Sequence, residues 1–235
     1  MTVRLVDVRP RAAYAAGHLP GAVHLDPETD LSAQTSDPST GGRHPLPSSD
    51  RLEEVFSHAG IDSETFVLAL DGGTGWAARC WWLLRHLGHD AAGTFDLGGY
   101  SGPLTMEEPD VPPARFRGRE RRGDLISAEE ILARLDDPEL TLLDARSAER
   151  WRGDVEPLDP VAGRIPGARS APFDAPLPHG ASTGGDLAVY CGSGVTACVV
   201  AQRLVLAGRP DVRLYPGSFS EWCRRGGYPI EKGPE

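Results

Sequence analysis

Cys191 stands where nucleophilic chemistry could be done. It follows the apolar run Leu187-Ala188-Val189-Tyr190 and opens the turn Cys191-Gly192-Ser193-Gly194-Val195-Thr196, after which a helical apolar pattern runs from Ala197 to Ala207. The thiolate is the attacking form of a cysteine, and it is favoured where backbone N–H groups and a helix N-terminus face the sulfur. Gly192 and Gly194 are expected to let the turn curl so that its amides point inward as an anion-binding nest. The other cysteines, Cys80, Cys198 and Cys223, form no C-x-x-C pair and flank no histidine cluster at zinc-ligand spacing. Neither a metal site nor a disulfide framework is expected, and all three are expected to be dispensable for chemistry.

The elements that must position Cys191 occur twice. Leu5-Val6-Asp7-Val8-Arg9 matches Leu142-Leu143-Asp144-Ala145-Arg146, and Gly17-His18-Leu19-Pro20-Gly21-Ala22 matches Gly163-Arg164-Ile165-Pro166-Gly167-Ala168. Phe66 to Asp71, followed by a Gly-rich turn and an apolar helical pattern at Trp76 to Leu87, matches Leu187 to Cys191 with the same sequel. Phe95-Asp96-Leu97-Gly98-Gly99-Tyr100 answers Leu214-Tyr215-Pro216-Gly217-Ser218-Phe219. Four matches in one order describe a duplicated domain of about a hundred residues, too long a period for a solenoid. Short apolar runs alternating with helical patterns predict α/β domains, each a mostly parallel sheet flanked by helices. The expected boundaries are 1–106 for the first domain, 107–123 for a Pro- and Arg-rich linker and 124–235 for the second. Ser127-Ala128-Glu129-Glu130 has the form of a capping box and predicts a helix over 128–135. Only four residues precede Leu5, so no counterpart of that helix is expected in the first half. The run Pro172 to Asp186 is too short for a counterpart of the helix predicted around Asp50 to His58.

Composition narrows the function. The chain has 235 residues, 40% of them hydrophobic and 25% charged, and a formal charge of −10. These values describe a folded globular protein, and the acidic balance argues against nucleic-acid partners. The basic cluster Arg115 to Arg122 reads as a solvated connector. No apolar stretch approaches the roughly 20 residues needed to cross a bilayer, so no membrane role is expected. Arg4, Asp7 and Arg9 interrupt the N-terminal segment where a secretory signal would be apolar, and a cytoplasmic location is the expectation.

The paired Asp-x-Arg and Gly-x-x-Pro-Gly-Ala segments, the turn Cys191 to Thr196 and the closing Tyr215-Pro216-Gly217-Ser218-Phe219-Ser220-Glu221-Trp222 resemble the rhodanese superfamily, and within it the tandem thiosulfate and 3-mercaptopyruvate sulfurtransferases. The resemblance implies two tandem rhodanese-like domains. The first would be inactive, with Asp71 at the cysteine position, and the second catalytic. Sulfane sulfur would pass from 3-mercaptopyruvate or thiosulfate to a thiol or cyanide acceptor through a Cys191 persulfide, without metal or organic cofactor, and a thioredoxin-like reductant is a further candidate partner. Gly192, Ser193, Gly194, Val195 and Thr196 would line the substrate side of the turn, whose neutral Gly192 and Ser193 are similar to the mercaptopyruvate enzymes.

By the same resemblance, Arg150 would grip the substrate anion while Arg146 would serve the fold. Leu158 stands where many mercaptopyruvate enzymes carry a second substrate-binding arginine. Gly41-Gly42-Arg43-His44-Pro45 is similar to a family loop whose histidine works with a carboxylate and the turn serine, which would join Glu28, His44 and Ser193 in a proton relay. Rival readings are a cysteine phosphatase or arsenate reductase and a non-catalytic persulfide-carrier or interaction module. The first needs a longer turn and an arginine six positions after the cysteine, where Ala197 stands. Absence of the cysteine would favour the second, and Cys191 is present.

Overall fold

A computed structural model describes residues 2–181, 183 and 185–234. It divides the chain into two compact units: residues up to 34 with 46–121, and residues 35–45 with 122 onwards.

The first unit is built from β1 (Thr2–Asp7), α1 (Arg11–Ala16), β2 (Val23–His24), α2 (Ser49–His58), β3 (Thr65–Asp71), α3 (Trp76–His86) and β4 (Ala92–Asp96). The second contains α4 (Ala128–Ala133), β5 (Leu140–Asp144), α5 (Ala148–Arg152), β6 (Arg169–Ser170), β7 (Asp186–Tyr190), α6 (Ala197–Leu206), β8 (Arg213–Leu214) and α7 (Ser218–Trp222). Each forms a four-stranded sheet of the same order, β2-β1-β3-β4 and β6-β5-β7-β8, with every pairing parallel. The central strands β3 and β7 are continuous apolar runs because both faces of a parallel sheet are covered by helices. The α/β tandem architecture is thus the one the repeats describe.

The repeat is also a repeat of contacts. Arg9 bonds Asp7 through Nε and Nη2 (3.0 and 2.6 Å) and reaches Gly17 O at 2.8 Å. Arg146 bonds Asp144 through the same atoms at 3.0 and 2.6 Å and reaches Gly163 O at 2.7 Å. Each Asp-x-Arg therefore ties the end of a central strand to the Gly-x-x-Pro-Gly turn. His18 stacks on Tyr14 at 3.7 Å, and Arg164 lies over Trp151 at 3.9 Å. Tyr14 and Trp151 in turn donate to Ala22 O and Ala168 O.

Residues 35–45 belong with the second unit, a departure from the expected boundary, which puts them in the first domain. The expected linker is a strap on the first unit: Phe116 is buried against Phe56, its N–H donates to Ser57 Oγ, and Arg119 and Arg121 donate backbone N–H groups to Leu87 and His86. The basic run is not simply solvated either, since Arg117 pairs with Glu53 and Arg121 with Asp90. Ser127 caps α4 by accepting from Glu130 N at 3.1 Å, while the Glu130 carboxylate turns to Arg213. Among the described residues no helix lies between β6 and β7, where the first unit has α2 between β2 and β3.

Candidate active site around Cys191

Cys191 follows the last residue of β7 and is 2% exposed. Its backbone is clamped from below, because Cys191 N donates to Ser218 Oγ (3.1 Å) and Cys191 O accepts from Phe219 N (2.9 Å). Ser218 holds a left-handed φ of 54°, a strained setting for a residue other than glycine, and its hydroxyl also donates to Tyr215 O. The turn curls over the sulfur so that Gly194 N donates to Sγ at 3.1 Å. Val195 and Thr196 complete the turn, Thr196 being the residue before α6, and Cys198 on that helix donates its thiol to Gly194 O.

The two glycines act for different reasons. Gly194 has a φ of 78°, and a Cβ there would lie 2.4 Å from Pro216 O. No other residue fits. Gly192 is not left-handed; it leaves space. A Cβ at Gly192 would lie 3.1 Å from Arg43 Nη2 and 3.3 Å from both Nη1 and Nη2 of Arg150. Two guanidiniums therefore flank the backbone immediately after the nucleophile.

Those guanidiniums are held by an ion-pair cluster. Arg150 binds Glu156 through Nε (3.1 Å) and Nη2 (2.7 Å), and Asp159 lies 3.5 Å from Nη2. Arg43 Nη1 and Arg224 Nη1 both bond Asp159 Oδ1. Arg146 joins through Glu156 at 3.2 Å. It is buried, and although burial opposes its charge, Asp144 and Glu156 hold it above its ordinary value. Its contacts are those of a fold residue.

Ser193 is buried, and its Oγ lies 2.8 Å from Nδ1 of His44. The structure thus brings together Cys191, the turn residues, Ser193, His44 and Arg150. Glu28 belongs to the other unit, on a turn organised by Asp26. Leu158 is exposed. Arg43 is the residue that sequence reasoning passed over. Its only signal was adjacency to His44, because its partner Asp159 is 116 residues away.

The remaining thiols differ in setting. Burial pushes Cys80 up to about 12, and burial with the nearby Asp159 charge pushes Cys223 up to about 11. Both are poor nucleophiles at neutral pH. Among the described residues no group of three or more His, Cys, Asp or Glu side chains could hold a metal ion, and no helix is long and apolar enough to cross a membrane.

The turn corresponding to Cys191 in the first unit is occupied by its own side chain. The Asp71 carboxylate accepts from Gly73 N and Gly75 N (both 2.9 Å), Ala77 N (3.1 Å) and Thr74 Oγ1 (3.1 Å). Such a set of donors marks the turn as an anion cradle.

Comparison with known sequences agrees with the duplicated sheet. The family described as rhodanese-like domain matches residues 1–102 and again 127–225. The chain belongs to the rhodanese-like family. Among rhodanese-like relatives, a probable 3-mercaptopyruvate sulfurtransferase of Pseudomonas aeruginosa is 40% identical, covering 94% of this chain and 86% of its own. A putative thiosulfate sulfurtransferase, SseB, of Mycobacterium tuberculosis is 36% identical, covering 98% and 91%. The crystal structure of an anaerobic ergothioneine biosynthesis enzyme from Chlorobium limicola superposes with a TM-score of 0.80 at 21% identity, covering all of this chain and 65% of that one. At that identity the likeness concerns the rhodanese fold.

Proposed function

We propose that the chain is a sulfurtransferase that moves sulfane sulfur from 3-mercaptopyruvate, or from thiosulfate, to a thiol or cyanide acceptor through a persulfide on Cys191. The observation that carries this reading is the seat of Cys191 itself: a buried sulfur at the end of a central strand, under an amide of a turn of the anion-cradling kind. Family membership and the names of the relatives support the same chemistry.

The Cys191 thiolate attacks the sulfur of mercaptopyruvate. An S–S bond forms, the C–S bond breaks, and its electron pair passes to pyruvate as the enolate, which takes up a proton at carbon. With thiosulfate the S–S bond of the donor breaks and sulfite leaves. The outer sulfur of the persulfide then carries the negative charge, which the amides of the turn would stabilise, Gly194 N already donating to Sγ. An acceptor thiolate or cyanide attacks that outer sulfur and returns Cys191 as thiolate, closing a two-step covalent cycle. Arg150 binds the donor carboxylate beside Gly192. Ser193, with His44 behind it, supplies the proton to the enolate. A reducing cytoplasm suits four free cysteines, and a thioredoxin-like dithiol is a suitable acceptor there.

The test is intact-mass analysis after mixing the enzyme with 3-mercaptopyruvate and no acceptor. The expected result is a gain of one sulfur atom mapped to Cys191, with one pyruvate released per protein. A chain that gains no sulfur from either donor does not have this function.

A further inference from the structure

Ser218 holds the one left-handed φ outside glycine among the described residues, 54°, and is fully buried. A side chain makes that conformation unfavourable, and it persists only where the surroundings impose it. The duplication supplies a control. Gly99 answers Ser218 in the first unit and is also left-handed, at 86°, where glycine meets no strain. The unit without the cysteine makes this bend with glycine, and the unit with Cys191 makes it with a residue that carries a hydroxyl.

That hydroxyl is engaged with the nucleophile. Ser218 Oγ accepts from Cys191 N at 3.1 Å and donates to Tyr215 O at 2.9 Å. The next two residues continue the contact, Phe219 N donating to Cys191 O and Ser220 N to Gly192 O, both at 2.9 Å. A trans peptide is planar, with its C=O and N–H pointing opposite ways. Anchoring these two carbonyls on residues 219 and 220 therefore turns the N–H groups of Gly192 and Ser193 away from α7. Gly194 N, the next in line, donates to Sγ at 3.1 Å. The first unit is wired differently. There Asp71 O accepts from Leu97 N at 2.7 Å, whereas Pro216, which answers Leu97, has no N–H to offer. Cys191 O is thereby left to the amide that follows the bend at Ser218.

We propose that Ser218 is a positioning residue for sulfur transfer: its hydroxyl fixes the Cys191 amide, and its left-handed bend sets the two amides that orient the peptide planes after the nucleophile. This rests on the sulfurtransferase reading and adds to it a residue that holds the catalytic turn curled from outside the turn. Glycine at this position would keep the bend and lose the hydroxyl.

Ser218→Gly tests the hydroxyl, since it keeps the left-handed backbone without strain. In single-turnover loading by 3-mercaptopyruvate its maximal rate should fall about 3- to 10-fold, as for loss of one neutral hydrogen bond, with the donor concentration for half-maximal loading unchanged. Alkylation of Cys191 by iodoacetamide, a neutral reagent, should slow by a similar factor, because the deficit lies at the sulfur and not in donor binding. Ser218→Ala keeps the strain and loses the hydroxyl, so its urea midpoint should lie below that of Ser218→Gly while its loading rate matches. Gly99→Ser places strain in the first unit alone; it should lower the urea midpoint and leave loading at the wild-type rate. Loading of Ser218→Gly at the wild-type rate, a loss confined to the donor concentration, slower loading in Gly99→Ser, or loading rates of the two Ser218 variants that follow their midpoints would overturn the assignment and leave the persulfide mechanism intact. Should Ser218→Ala not fold, Ser218→Gly decides alone. A wild-type chain that takes up no sulfur would instead remove the reading on which the assignment rests.

Discussion

Asp71 and Cys191 end corresponding strands of two sheets with the same order, and each is followed by a Gly-rich turn into a helix. The first turn is closed on itself: it bends at left-handed Gly73 and Gly75, and its donors are spent on the Asp71 carboxylate. The second bends at Gly194 and places one donor on a sulfur that is too short to fill it. The surroundings differ as sharply. The vacant Cβ position of Gly192 lies among two guanidiniums, whereas that of Gly72 has nothing within 4 Å. An anion cradle is therefore a property of the repeated fold, and a pair of guanidiniums beside it is what unrelated residues add to one copy.

The comparison can be broken most directly by exchanging the nucleophiles. Cys191→Ser should abolish sulfur loading while far-UV circular dichroism stays unchanged, since a serine hydroxyl forms no persulfide. Adding Asp71→Cys to that variant should restore no loading from mercaptopyruvate, because the thiol would sit in a cradle with no guanidinium beside the following residue. Loading of the introduced thiol at a level comparable with wild type would mean that the turn alone makes the site.

A smaller effect sharpens the role of Arg150. Arg150→Ala should lose about 10- to 150-fold in kcat/KM for mercaptopyruvate, the range for a charge-assisted hydrogen bond of about 1.5–3 kcal/mol, and Arg150→Lys less. Transfer from pre-loaded enzyme to a neutral thiol should be spared, and an equal loss there would make Arg150 a fold residue like Arg146.

Ser193→Ala should slow mercaptopyruvate turnover roughly 10-fold or more, at the lower edge of general acid–base effects. Thiosulfate turnover should be nearly unchanged, because sulfite leaves without protonation at carbon. A uniform loss with both donors would place Ser193 in the architecture of the turn.

The last expectation concerns stability alone. Asp71→Ala strands the backbone donors of its turn and should destabilise the chain by about 1–3 kcal/mol, read from urea unfolding. Sulfur loading at Cys191 should be unaffected in the folded protein.

Local pattern made most of the scaffold legible. The two Asp-x-Arg ties, the Gly-x-x-Pro-Gly turns, the helices after Asp71 and Cys191 and the cap at Ser127 all act between residues near in sequence, so their chemistry can be read off spacing. Cys191, Ser193 and His44 were named through motif and resemblance. Arg43 was not, because its significance comes from Asp159 and Gly192, which no local pattern connects to it. Gly192 reads as a turn residue on the substrate side because glycine ordinarily signals backbone freedom, whereas here it also marks approach by two guanidiniums. Phe116 and its neighbours looked like a linker because they lack periodicity, yet an irregular strap can bury one aromatic and bond through its backbone without any.

The membership of residues 35–45 in the second unit has a consequence for the making of the protein. A ribosome releases this segment early, while the residues it bonds, Asp159, Ser193 and Ser220, follow much later; the bond from Arg43 N to Ser220 Oγ joins positions 177 apart. Contacts of that separation form slowly, because a long loop must close before they add stability. The catalytic half is therefore complete only when nearly the whole chain has been synthesised. A fragment beginning at residue 122 would carry Cys191 but lack Arg43 and His44, so the second unit is not made by any one continuous stretch of the chain.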